Sequence, residues 1–517
     1  MSGAFSSRWA LLLATLGMAI GTGNLWRFPR ILSQNGGGTF LIPWALFLFT
    51  WSIPLLMAEF AVGRASRRGP VGAYSKIFGP GTAWRGGFVT VCTVAIMCYY
   101  SVVSGWTLRY AGLALTGGLA GLGPADGEPF FLDYTKTWWP ALTHVLSMGI
   151  CCGVVALGVT GGIERVCKVL VPALFVVLVV CAVQGLSLDG SEDGLAFLTT
   201  FELSRLWEDH TIWLEALSQS AWSTGAGWGL MIGYALYAGA GLRSRRECVS
   251  TGLGNNSASL LAALAVLPAV FALAPLAGED PTALVQESGP ASTGLTFVWM
   301  PVLFQEMPGG AFFGALFFAG LAFAALSSLI AMVELAVRTF EDGGMARSKA
   351  VVLVFVAGFL LGLPSAVNLG WPAGEDGGLT AFQNQDWVWG VGLIVSGALT
   401  GFSVLRYGPR RFHRELIQER EEGPSGGGGG FVFAITWLVP LQAVGLLGWW
   451  FYKAFTWVSE TDADGKARSL GSRIQEWLDP SNIFGVGTCL LQWGVVLAIL
   501  LLVNRRLAAP HVASGAD

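Results

Sequence analysis

The chain has 517 residues, 53% of them hydrophobic and 12% charged, and a formal net charge of −3; its mean hydropathy is +0.60. Such a composition argues against a soluble multidomain enzyme, while the net charge says little about partners; no nucleic-acid partner is expected. The four histidines, at 144, 210, 413 and 511, are scattered and the eight cysteines are not spaced like a metal site, so no catalytic cluster is expected.

A membrane-crossing helix needs about 20 mostly apolar residues. Twelve such stretches follow one another, near 9–33, 39–63, 86–119, 141–160, 164–186, 211–240, 250–275, 309–338, 348–366, 386–406, 431–456 and 482–504. They predict a single all-α membrane domain with the lipid bilayer as its surroundings. The first stretch is too long, and too poor in preceding basic residues, for a cleaved secretory signal.

That first helix is interrupted halfway by Gly21-Thr22-Gly23-Asn24 and closes on Gln34-Asn35-Gly36-Gly37-Gly38. Inside a bilayer an unwound stretch persists only where protein, ions or ligand take over its backbone hydrogen bonds. The glycines permit the break, Asn24 adds an amide oxygen suited to a hard cation, and Arg27 places a charge one turn beyond it. The sixth stretch is interrupted in the same way, at Gln219-Ser220-Ala221-Trp222-Ser223-Thr224-Gly225-Ala226-Gly227-Trp228-Gly229. Paired interruptions at corresponding positions of two repeats point to a transporter site at the bilayer midplane. The first ten helices are therefore read as a five-plus-five inverted repeat, about 9–186 and 211–406, with helices 11–12 added at about 431–504.

Between these landmarks, Cys248 is expected in a loop, the mixed Arg/Glu segment 404–422 as a short solvated helix, and Pro424-Ser425 with Gly426 to Gly430 as a flexible linker. If the N-terminus is cytoplasmic, 21 of the 30 basic residues fall on that side, Arg8, Arg64, Arg67, Arg338 and Arg347 among them. The 276–308 loop on the other side has Glu279, Asp280, Glu287 and Glu306 and no Lys or Arg. Both termini are thus expected inside, in a plasma membrane and, by the resemblance below, a bacterial inner membrane.

The set Gly21-x-Gly23-Asn24-x-x-Arg27-Phe28-Pro29, Asn35-Gly36-Gly37-Gly38-x-Phe40, Glu59 with Gly63-Arg64, Tyr99-Tyr100 with Trp106-Thr107-Leu108, Gly162-Ile163-Glu164-Arg165 and Phe340-Glu341-Asp342 resembles the neurotransmitter:sodium symporter family, and within it the bacterial amino-acid transporters. The match is close over helices one to eight and looser to ten. The resemblance implies two sodium sites. The first falls on Ala19, Asn24, Ser223 and Asn255, the second on Gly17, Ile20, Ala324, Ser327 and Ser328. Neutral oxygens of this kind suit a hard monovalent cation.

By the same resemblance, the substrate is contacted by Met18, Gly21, Ile96, Tyr100, Trp222, Ser223, Gly225, Trp228, Ser328 and Met332. Amine-carrying relatives place an aspartate where Gly21 stands, so the ligand is expected to bring its own carboxylate to the helix ends, Tyr100 and the first sodium. No charge lies among those wall residues, which fits a neutral, mainly apolar amino acid; leucine-like, aromatic and alanine-like substrates all stay open. Arg27 with Asp386 is expected as one gate and Asp342 as the acid of the other. The family's Arg-x-x-Trp before the first helix is missing at its usual spacing, and Arg8-Trp9 is what the sequence offers instead. Chloride is left open: Gln219, Ser223 and Ser259 stand at halide positions, while Trp44 replaces the usual tyrosine. The expected function is sodium-coupled uptake of a neutral amino acid. Two alternatives remain, an amine or osmolyte carrier and a non-transporting amino-acid sensor on the same fold; stoichiometry and oligomeric state are open.

Overall fold

The computed structural model describes residues 4–239, 241–368, 379–420, 428–461 and 466–512. Among these the elements are helices. Ten are long and apolar enough to cross a membrane, and an eleventh crossing is a pair, Arg8–Ala19 and Gly23–Gln34, bent by 55°. This bent pair is span 1. Spans 2 to 5 are Gly37–Ser66, Pro80–Thr116, Trp139–Ala156 and Val159–Leu186. Span 6 is two short helices, Thr211–Ser223 and Leu230–Ala235. Spans 7 to 12 are Ser244–Leu273, Gly310–Asp342, Arg347–Val367, Thr380–Tyr407, Gly428–Thr456 and Val486–Val512.

The two interruptions expected in spans 1 and 6 are therefore present, and the protein is an all-α multi-pass membrane protein. Spans 3 and 8 pack on each other through the middle of the molecule, with spans 1, 5 and 9 against span 8. An even number of crossings puts both termini on one face, called here the terminal face; the 276–308 segment belongs to the other face, called the loop face.

Span 6 shows how a break is tolerated. Gly225, Gly227 and Gly229 have φ of +72°, +87° and +74°, a region that costs a side-chain-bearing residue and that turns the chain out of the helix. The stranded backbone groups are then taken up by side chains from three neighbours. Glu59 of span 2 accepts from the Gly229 N–H at 2.9 Å, Thr93 of span 3 donates to the Trp228 carbonyl, and Ser396 of span 10 donates to the Gly227 carbonyl. Each replaces an intrahelical bond that the glycines gave up.

Several expected boundaries change. Cys248 lies inside span 7, fully buried, because that helix starts at Ser244 rather than near 250. The segment after span 10 is not a solvated helix: Phe412, Leu416 and Ile417 are buried, and Arg64 of span 2 donates to the Leu416 carbonyl at 3.1 Å. In the expected linker, Gly428–Gly430 already belong to span 11, while 424–427 lie outside the described residues. Span 12 runs past 504 and braces the start of span 3, where Asn504 Oδ1 accepts from the Trp84 N–H at 2.8 Å.

Glu59 gives a direct test of this account of span 6. Glu59→Ala strips the Gly229 N–H of its acceptor and should destabilise the fold by about 1–3 kcal/mol, read as a lower unfolding midpoint in detergent. Glu59→Gln keeps an oxygen there and should stay close to the parent.

Candidate functional site

At the break of span 1 the regular ladder ends with Ile20 N–H donating to Leu16 O at 2.7 Å. The next donors leave the helix: Gly21 N–H goes to Asn24 Oδ1 at 3.0 Å and Thr22 N–H to the Tyr100 hydroxyl at 3.1 Å. A Cβ on Gly21 would stand 3.0 Å from the Tyr100 hydroxyl oxygen and 3.1 Å from Ser328 Oγ, so a side chain there would force Tyr100 and Ser328 apart. Tyr100 thus reaches the break itself rather than a lipid interface.

Two clusters of oxygens gather around these breaks. In one, Ser328 Oγ lies 3.1, 3.3 and 3.4 Å from the carbonyls of Gly17, Met18 and Ile20. Ser327 Oγ and Ala324 O are 3.1 Å apart beside it, and Gly17 approaches so closely that its Cβ would lie 3.1 Å from Ser327 Cβ. All five residues expected at the second sodium position are brought together. In the other, Asn255 Oδ1 accepts from Asn24 Nδ2 at 2.9 Å and lies 3.1 Å from Ala19 O and 2.9 Å from Ser223 O. Turned with its nitrogen toward the two carbonyls, the Asn255 amide donates to both, so an internal hydrogen bond and a bound cation compete for the same carbonyls. The four residues expected at the first sodium position are likewise adjacent.

A cavity of about 510 Å³ opens from the breaks toward the loop face. Of the expected substrate residues, Met18, Gly21, Tyr100, Trp222, Ser223, Gly225, Trp228, Ser328 and Met332 line it. Ile96 does not. It is fully buried one turn from Tyr100, and span 3 faces the cavity with Tyr99, Tyr100 and Val103 instead. Trp222 and Trp228 meet edge to face, with ring centroids 5.7 Å apart. Sequence reasoning did not point to span 10 and span 11 side chains as wall, yet Phe382, Gly390, Trp450 and Lys453 are there.

The charges sit between the breaks and the loop face. Arg27 stacks its guanidinium 5.1 Å over the Trp222 ring and shares the cavity with Asp386; among the described residues no ion pair within 4.0 Å joins them. Glu215, lining the same cavity, is paired with Lys453 of span 11. Arg30, buried, donates to Ser288 Oγ of the 276–308 segment at 2.9 Å.

The terminal face is closed. Asp342 pairs with Arg338 at 2.7 Å and accepts from the Gly69 N–H at 2.6 Å. Arg8 pairs with Glu247 at 2.6 Å, Ser6 N–H donates to Glu164 at 2.9 Å, and Phe5 packs edge-on against Tyr234 and Tyr237. The N-terminal segment therefore does clamp this face, through Arg8–Glu247 and Phe5 rather than through a pair with Asp342; Trp9 points outward and is exposed.

The pair at the cavity wall is open to a double-substitution test. Lys453→Met leaves Glu215 buried without its cation and should cost roughly 1–3 kcal/mol in unfolding experiments. Adding Glu215→Gln should recover most of that loss; equal losses in the single and double variants would show that the contact is not a working ion pair.

Residues 2–121 and 136–420 match the family described as the Sodium:neurotransmitter symporter family. A Bacillus subtilis protein described as the uncharacterized sodium-dependent transporter YhdH is 30% identical over 451 residues, 85% of this chain and 96% of its own length. The sodium-dependent serotonin transporter of Drosophila melanogaster is 28% identical over 398 residues, 68% of this chain and 62% of its own. Among solved structures, MhsT in complex with L-phenylalanine superposes with a TM-score of 0.74 at 30% identity, covering 86% of this chain and 98% of that one. With two interrupted spans, a cavity between them and these relatives, the chain belongs to the sodium:neurotransmitter symporter family, a family of sodium-dependent membrane transporters rather than enzymes.

Proposed function

We propose that the protein is a symporter that couples sodium entry to uptake of a neutral, mainly apolar amino acid. The observation that carries this reading is the gathering of two oxygen clusters at the breaks, Ala19–Asn24–Ser223–Asn255 and Gly17–Ile20–Ala324–Ser327–Ser328, the first meeting the cavity through Ala19, Asn24 and Ser223 and the second through Ser328. Neutral carbonyl, amide and hydroxyl oxygens are what sodium takes in place of water. A cage without fixed negative charge leaves a place for the substrate carboxylate beside the first ion. The free N–H ends of the broken helices and the Tyr100 hydroxyl favour the same anion.

The substrate side chain meets Met18, Trp222, Trp228 and Met332, and the acids on the lining, Glu215 and Asp386, stand with Arg27 and Lys453 on the loop side of the break. No carboxylate takes the position of Gly21, which favours an amino acid over an amine. The relative solved with L-phenylalanine supports the same substrate class.

In this reading the loop face is extracellular and the terminal face cytoplasmic, in a bacterial inner membrane, and the structure is the outward-facing member of an alternating pair. Closing brings Arg27 and Asp386 together over the bound substrate; opening the other face releases Arg8 from Glu247 and parts Asp342 from its partners. The five-plus-five inverted repeat supplies the two related halves for that exchange.

A specific observation favours chloride as a further ion. Gln219 Oε1 and Nε2, one turn before Ser223, and Trp44 Nε1 of span 2 are buried with no protein partner among the described residues, and Asn24 Nδ2 donates to Ser259 Oγ at 2.8 Å. Donors left over beside the first sodium cluster suit a halide held by Gln219, Ser223 and Ser259, offsetting the charge of two sodium ions.

Purified protein in liposomes tests this reading. A sodium gradient should drive uptake of apolar amino acids, and an amine lacking the carboxylate should compete poorly. Tyr100→Phe should weaken substrate binding by about 1.5–3 kcal/mol, the value of a hydrogen bond to a charged group. Uptake indifferent to sodium would reject the coupling, an amine binding as well as its parent amino acid would reject the role of Gly21, and uptake unchanged when gluconate replaces chloride would reject the halide.

A further inference from the structure

Asp386 and, one turn on, Gly390 lie on the face of span 10 that lines the cavity, beside Phe382, Gln383, Trp387 and Val391. Gly390 packs against a side chain that itself lines the cavity. A Cβ there would collide with Cζ2 of Trp222, with Cη2 at 3.3 Å and Cε2 at 3.5 Å as its next neighbours. All three nearest atoms belong to one indole ring. At Gly227 the corresponding neighbours are the backbone of Gly397, with Cα at 2.6 Å, the usual reason for a small residue between membrane helices. Gly390 does not bring two backbones together. It makes room for a side chain.

That side chain is held on three sides. The Trp222 ring lies against Gly390, meets the Trp228 ring edge to face at 5.7 Å, and has the Arg27 guanidinium over it at 5.1 Å. Its fourth side is the cavity. A methyl group at 390 needs about 3.5–4.0 Å of carbon–carbon separation, so the indole would have to move away from span 10 by about 1 Å or more. Trp228 and Arg27 block the lateral directions, and the move narrows the cavity.

We infer that Gly390 is a specificity-determining position: the missing side chain lets Trp222 lie back against span 10, and the depth of that recess sets how large a substrate side chain the cavity admits. The inference rests on the amino-acid reading given above and goes beyond it by assigning the size limit to a residue that itself contacts Trp222 rather than substrate. It also ties size selection to the gate, since the same indole carries Arg27 on its outer face and leans on the helix that holds Asp386.

The test is a competition series, in sodium, of alanine, valine, leucine, phenylalanine and tryptophan on the full-length purified protein. Gly390→Ala should weaken the largest ligands roughly ten- to hundredfold, the usual effect of losing about a methylene of room, with alanine weakened several-fold less. In a Trp222→Phe background, where the smaller ring leaves space for the methyl group, Gly390→Ala should leave the size ranking as it is in Trp222→Phe alone. Equal weakening of every ligand, an unchanged ranking, or the same shift in both backgrounds would overturn the inference. If Gly390→Ala fails to fold, the pair decides: a folded Gly390→Ala/Trp222→Phe supports the recess, and a second failure to fold overturns it by showing that the backbone needs glycine there. Parent protein that binds none of the five ligands rejects the amino-acid reading itself, whereas parent binding with an unmoved Gly390→Ala ranking rejects only the role of Gly390.

Discussion

A broken helix inside a membrane leaves peptide groups that nothing in the lipid can satisfy, and the rest of this molecule is arranged around two such breaks. In span 6 the protein supplies three of the partners: Glu59 meets the Gly229 N–H, and Thr93 and Ser396 meet the Trp228 and Gly227 carbonyls. In span 1 the repair is partial. Asn24 and Tyr100 take the Gly21 and Thr22 amides, but the carbonyls of Gly17, Met18 and Ile20 have a single serine hydroxyl among them. Carbonyls with spare lone pairs gathered at one point have the chemistry a hard cation takes, so in the proposed reading the cost of breaking the helix and the capacity to bind sodium share one origin.

The same economy applies to charge. Arg27, Glu215, Asp386 and Lys453 all line one cavity, in surroundings where an isolated charge is costly. Lys453 neutralises Glu215, which leaves Arg27 to the Trp222 face and within the same cavity as Asp386. An arginine supported by a ring rather than by a carboxylate retains the option of pairing when the cavity narrows. On the terminal face the pairs are already formed, Arg338 with Asp342 and Arg8 with Glu247. One face is thus locked and the other poised, which is the asymmetry an alternating-access carrier needs.

How much of this could be read in the sequence follows from where each signal is stored. The breaks were legible because glycine clusters inside membrane-length apolar runs are rare and have a direct backbone meaning, whereas the residues of the two oxygen clusters, four of them on spans 7 and 8, were carried over from the family resemblance. Lys453 was not legible: it stands alone in an apolar helix outside the ten-helix core, and its partner lies 238 residues away. Ile96, carried over to the wall by the family resemblance, lies buried outside the cavity lining, because the resemblance does not fix how deep this cavity reaches. The clamp role of Arg8 was not legible: the sequence offered Arg8-Trp9 only in place of a missing Arg-x-x-Trp, and its partner Glu247 became part of span 7 only once that helix started at Ser244. Gly390 carries no local sequence signal at all, since its meaning depends on a ring from another span.

The most direct measurement is the sodium titration of the purified transporter with and without a saturating apolar amino acid. If the substrate carboxylate completes the first sodium cluster, substrate lowers the half-saturating sodium concentration, and sodium tightens substrate binding by the same factor, as linkage requires. A sodium affinity that does not respond to substrate would contradict a site in which ion and carboxylate meet at the breaks.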